Sequence, residues 1–138
     1  MIDKKGVWEF IKKQSLATLS TADKKGKPES AVMAMAVTDK GEILMSTEPS
    51  TRKIQNLSIN PLSSIIVGGL DSPSVQLDGE TNIASGVMAQ EVKNQILAIH
   101  PNTADYLSAT SVFLRFTPKW LRYSDFSTNP PEIFETNL

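Results

Sequence analysis

The chain has 138 residues, 40% of them apolar and 21% charged, which is enough for one domain with a core of its own. Lys+Arg is 14 and Asp+Glu is 15, and the net charge of −1 gives no electrostatic case for nucleic-acid binding. There is no cysteine and one histidine, His100, which excludes disulfides, thiol catalysis, iron–sulfur clusters, thiolate zinc and histidine-rich metal sites.

The opening Met1–Gly6 has no apolar core of the kind a signal peptide carries. No apolar run approaches the ~20 residues a membrane span needs. A cytoplasmic protein with no membrane role is expected. One domain over 1–138 is expected, with 127–138 as a tail.

In chain order, Asp3 is placed to cap a first helix, with Val7, Trp8, Phe10 and Ile11 at helical spacing. Ser15–Thr21 alternates and is rich in strand formers. Asp23–Lys27 reads as a polar turn, Glu29–Val37 as a second strand, Thr38–Gly41 as a second turn and Glu42–Thr47 as a third strand. Turns this short predict an antiparallel meander.

From Ser50 to Ile59 the period becomes helical, with Ile54 and Leu57 on one face, until Asn60-Pro61 stops it. Leu62–Val67 is a strand, and Gly68-Gly69 with Asp71–Pro73 a turn. Ser74–Ser85 reads as one long strand, with Gly79 a bulge or a point of close approach. Ala89–Ile99 is helical and ends at Pro101; Ser111–Tyr123 is the last strand; Thr128 onward is a tail. The sum is mainly β: about six antiparallel strands and three helices, which suits a closed or split barrel.

Three stretches carry chemistry. In Ser46-Thr47-Glu48-Pro49-Ser50-Thr51-Arg52-Lys53, hydroxyls, helix-start N–H groups and two cations converge, as a phosphate monoester would require. The plainer alternative is a capped helix with solvated first-turn cations. Glu29–Val37 alternates small residues with Met33 and Met35, leaving room for a flat ligand; ordinary barrel-interior alternation is the alternative. Trp120 and Arg122 share one strand face and would stack on a ring and clamp an anion, or else form an edge-strand surface pair. His100, at the end of an apolar helix, is expected to offset the helix dipole. Ile133 and Phe134 are apolar residues in a polar terminus, suited to packing on a partner subunit or to a loose tail.

These segments, in this order, resemble the pyridoxamine 5′-phosphate oxidase-like family of FMN-binding split barrels. The resemblance is carried by Leu16–Thr21, Gly26-Lys27-Pro28, Ser46-Thr47 with Ser50–Lys53, Asn56-Leu57 with Asn60-Pro61, Val75–Gly79 and Trp120–Asp125. It covers roughly residues 5 to 126, and it implies a six-stranded antiparallel split barrel that is a homodimer with FMN at the subunit interface. Thr47, Thr51, Arg52 and Lys53, with Ser50 in the same loop, would hold the FMN phosphate. Met33, Ala34 and Met35 would line the isoalloxazine ring, with Ser46 beside the ribityl chain. Ser74 stands where the oxidases place a glutamine, and Trp120 and Arg122 would approach from the partner.

Ala31 and Ala36 stand near positions where the vitamin-forming oxidases use basic residues, and the sequence ends without their Arg/His-containing segment. The resemblance therefore implies a small member of the family, an FMN-dependent oxidoreductase acting on a small molecule. A carrier or sensor of FMN, of a deazaflavin or of haem is the alternative, and a dimeric module without cofactor is a third reading.

Overall fold

The structure is a computed structural model that describes residues 1–69, 71 and 73–138, so the expected turn over Asp71–Pro73 lies partly outside the described residues. Helix α1 (Lys4–Lys12) starts where the Asp3 carboxylate accepts the Gly6 N–H at 2.9 Å. Val7 and Ile11, one turn apart, are both fully buried beneath it. Strand β1 (Leu16–Ala22) turns Ala17, Leu19 and Thr21 inward. The Asp23 turn returns the chain with Gly26 at φ +84°, a conformation only glycine adopts freely, into β2 (Pro28–Ala34).

The strand read as continuous from Glu29 to Val37 is broken at Met35. Before the break β2 pairs with β1; after it, β3 (Ala36–Val37) pairs with β4 (Ile43–Thr47). Met35 sits where the pairing partner changes, and its N–H donates to the Ser15 carbonyl at 3.0 Å. Next come α2 (Arg52–Ile59), β5 (Leu62–Gly68), β6 (Ser74–Ile83), α3 (Gly86–Ile99), a 3-10 helix (Pro101–Tyr106), β7 (Val112–Asp125) and β8 (Glu132–Asn137).

The sheet order is β2-β1-β5-β6-β7-β4-β3, antiparallel throughout, with β8 added beside β7. The ends of this path, β2 and β3, are consecutive in the chain, so the sheet curls into a split barrel. Among the described residues there are eight strands rather than the six expected. One extra strand comes from the break at Met35. The other is the expected tail: β7 has fourteen residues, β4 covers only Val112–Phe116, and β8 fills the rest of that edge. Phe134 packs on the barrel core while Ile133 stays exposed.

Gly79 lies at a register shift between β6 and β7, and a Cβ there would sit 2.2 Å from the Thr117 carbonyl oxygen. The barrel interior is filled by Leu19, Met33, Ile43, Met45, Ile65, Leu77, Leu114, Phe116 and Leu121. A second cluster, with Leu44, Phe113, Val92 and Ile96, lies outside the sheet under α3. Phe113 and Leu114 are therefore both buried, because this end of β7 is covered on both faces.

Candidate functional site

The loop from β4 to α2 folds back on itself. The Thr51 hydroxyl donates to the Glu48 carbonyl at 2.9 Å and lies 3.3 Å from the Thr47 hydroxyl. Thr51 is the N-cap of α2, yet its side chain makes no capping hydrogen bond; the Ile54 N–H donates to the Thr51 carbonyl at 3.2 Å, and the Arg52 and Lys53 backbone N–H groups keep their capacity to hold an anion. Lys53 is buried, at 8% exposure, and its ammonium reaches only the Thr47 hydroxyl, at 3.5 Å. Among the described residues no carboxylate pairs with it. Arg52 points outward, 72% exposed, 3.8 Å from the Glu29 carboxylate. Ser50 precedes the cap and is exposed.

This loop forms one end of a cavity of about 550 Å³. The sheet side of the cavity is Ser15, Ala34–Ala36, Leu44–Glu48 and Thr51. Of the residues expected at the site, Ala34, Met35, Ser46, Thr47 and Thr51 meet here. Met33 points into the barrel core and offers the cavity no side chain. Arg52, Lys53 and Ser50 sit behind Thr47 and Thr51 rather than in the wall.

Ser74, Trp120 and Arg122 are not brought to this cavity. Val112, opposite Thr47 on β4, is ten residues from Arg122, about 33 Å of strand. They lie instead on the outward face of the sheet. Cross-strand pairing sets Val32, Thr18, Ile66, Gln76, Arg122 and Glu135 in one row, in which Arg122 forms an ion pair with Glu135 at 3.1 Å. Asp78 and Trp120 pair in the next row, and Ser74 and Ser124 in the row on the other side. Leu16, Val32 and Ile66 leave apolar side chains exposed on this face. The edge-strand alternative for Trp120 and Arg122 does not hold, because β7 is flanked by β6 on one side and by β4 and β8 on the other.

The far wall of the cavity was not foreseen. It is the end of α3 and the 3-10 helix, with Ile96, Ile99, His100, Asn102 and Tyr106. His100 stands at the C-cap of α3, where its backbone N–H donates to the Ile96 carbonyl at 2.7 Å, and it lines the cavity. Glu48 is a further member: its two carboxylate oxygens accept the hydroxyls of Ser108 at 2.9 Å and Thr110 at 2.8 Å, which ties the two walls together. The sequence signal for this wall was Pro101 directly after an apolar helix, which forces a new turn there but does not say where it leans.

A curled antiparallel split barrel, with the start of α2 beside a roomy cavity, defines the class. Residues 4–125 match the family model described as pyridoxamine 5′-phosphate oxidase, and the chain belongs to that family. No curated protein is significantly similar in sequence. Solved structures share the fold at low identity. General stress protein 26 from Bacillus anthracis is 22% identical, with a TM-score of 0.74 over 96% of this chain and 98% of that one. The haem storage protein HutZ from Vibrio cholerae is 18% identical, with a TM-score of 0.71 over 88% and 94%. A pyridoxamine 5′-phosphate oxidase-related, FMN-binding protein from Nostoc punctiforme is 11% identical, with a TM-score of 0.67 over 90% and 87%. Among the described residues no helix is long and apolar enough to cross a membrane.

Proposed function

We propose that the protein is a homodimeric, FMN-dependent oxidoreductase acting on a small molecule. The observation that carries the cofactor is Lys53. A buried ammonium without a carboxylate is costly, and an anion at the start of α2 would offset that cost. The Thr47 hydroxyl and the first N–H groups of α2 would complete a phosphate cradle, with the Arg52 charge nearby. Ala34 and Ala36 leave space for a flat ring against the sheet wall, and Met35 supplies an adaptable surface. FMN, when bound, supplies hydride or electron transfer at its ring. The chain's own residues bind the phosphate, orient the ring and keep water from one of its faces.

The outward face of the sheet supports the dimer. Its exposed Leu16, Val32 and Ile66 lie near Trp120 and Arg122, and a second copy covering them would bring those two residues to the neighbouring cofactor. The absorption spectrum of freshly purified protein, with identification of whatever is released on denaturation, tests the reading. A flavin spectrum with released FMN supports it; a colourless protein that takes up no FMN at micromolar concentration overturns it.

A haem carrier is the second reading, favoured by His100, which lines the cavity and would be a ligand for haem iron. A Soret band lost on His100→Ala would establish that reading in place of the first.

A further inference from the structure

The cofactor reading uses the sheet wall of the cavity and leaves the far wall without a task. That wall presents Ile96, Ile99 and Tyr106 around His100. The His100 imidazole has no hydrogen-bond partner among the described residues. Among the described residues that line the cavity, Glu48 is the one acidic residue and there is no Lys or Arg. Both Glu48 oxygens are already engaged, by Ser108 and Thr110 at the rim. The basic residues of the neighbourhood, Arg52 and Lys53, lie behind the Thr47–Thr51 loop, where a cofactor phosphate would neutralise them.

An anion entering along the far wall would lose its hydration, meet no cation and face a carboxylate. A neutral ring compound would bury apolar area against Ile99 and Tyr106 at no such cost. We infer that the far wall binds an uncharged, predominantly apolar ring compound that carries a hydrogen-bonding group for His100. Its role as substrate rests on the FMN reading, but the selectivity of the wall does not. The separation of charge is the point: cations at the phosphate end, and a neutral wall with one imidazole opposite.

The test is a pair of probes of one shape and different charge, naphthol and naphthoate, titrated at neutral pH into the isotope-labelled protein with and without saturating FMN. Naphthol is expected to shift the backbone amides of residues 96–106 and to bind at least about tenfold tighter than naphthoate, roughly 1.4 kcal/mol. Ile99 is 40% exposed; Ile99→Lys, its amide spectrum otherwise unchanged, is expected to bring naphthoate level with naphthol or ahead of it. With FMN saturating, or with the shifts read at the amides of residues 96–106, equal or tighter naphthoate binding to the native chain, amide shifts confined to other surfaces, or an Ile99→Lys variant that still rejects naphthoate would each overturn the inference. Failure to take up FMN, with the naphthol preference intact, would overturn the cofactor reading and leave this one standing.

Discussion

The Lys53 ammonium lies 3.5 Å from the Thr47 hydroxyl and pairs with no carboxylate among the described residues, although Lys53 is 8% exposed. Glu29 is near enough to engage both Arg52 and Asn56, yet it turns to them and not to Lys53. A lysine held in this way costs stability in the protein without ligand and gains it back when an anion arrives.

Replacing Lys53 by Met therefore moves two quantities in opposite directions. The melting temperature without ligand is expected to stay level or rise, because a buried unpaired charge is replaced by a chain of similar length. FMN affinity is expected to fall by about 1.5–3 kcal/mol, roughly ten- to a hundredfold. Calorimetry and a flavin-fluorescence titration read the two effects separately. A large loss of melting temperature with unchanged affinity would make Lys53 a structural residue only.

Glu29 would compete with the phosphate for Arg52 in a simpler way. Their contact is 3.8 Å and Arg52 is 72% exposed, so the pair itself is worth less than about 1 kcal/mol. Arg52→Ala is expected to leave the melting temperature nearly unchanged and to weaken FMN binding about ten- to a hundredfold. Glu29→Gln frees the guanidinium and is expected to tighten binding. If both variants bind FMN as the native chain does, the phosphate lies elsewhere.

What was legible in the sequence is what local chemistry decides. Asp3 caps α1, Gly26 and Gly41 take positive φ in the two expected turns, and Gly79 marks the bulge, all from residue type and spacing. The break at Met35 was not legible, because it reflects a change of pairing partner rather than a turn residue. Strand β8 was not either: Glu132–Asn137 alternates, but it is a strand only because β7 outruns β4 and leaves an edge open. The hydroxyl and basic run marked the loop in which Thr47, Thr51 and Lys53 come together. The far wall depends on how α3 lies across Leu44 and Phe113, which no local signal encodes.

Glu48 joins the two walls through the Ser108 and Thr110 hydroxyls. The double variant Ser108→Ala, Thr110→Val removes both donors at an exposed rim, with an expected loss of about 0.5–1.5 kcal/mol per bond. The loss should be local. Amide exchange is expected to speed up over 107–111 and over the β4–α2 loop, while the barrel strands keep their protection. Uniform protection across the variant would show that the clasp does not hold the walls together.

Gly79 tests the bulge. A Cβ would lie 2.2 Å from the Thr117 carbonyl oxygen and 2.9 Å from the Pro118 Cα, both of them backbone with little room to yield. Gly79→Ala is expected to cost about 1–3 kcal/mol through forced separation of β6 and β7. Gly69→Ala, where an added Cβ meets nothing within 4 Å, serves as the comparison and is expected to have a smaller effect on denaturant unfolding.

The Asp23 turn sets part of the acid response. The Lys27 and Lys25 N–H groups donate to the Asp23 carboxylate and hold its pKa below the usual 3.8, with the lysine charges adding to the effect. A group whose folded-state pKa is depressed stabilises the fold above its unfolded value and loses that contribution as pH falls through the folded value. Asp125, lowered by the Ser127 hydroxyl and N–H, acts with the same sign. Asp23→Asn removes only the Asp23 part. Its melting temperature is expected to lie below that of the native chain at pH 6, and the gap to close as pH drops below about 3.8. A gap that persists unchanged to pH 2 would place the contribution in hydrogen-bond geometry, which asparagine would then be failing to reproduce, rather than in the carboxylate charge.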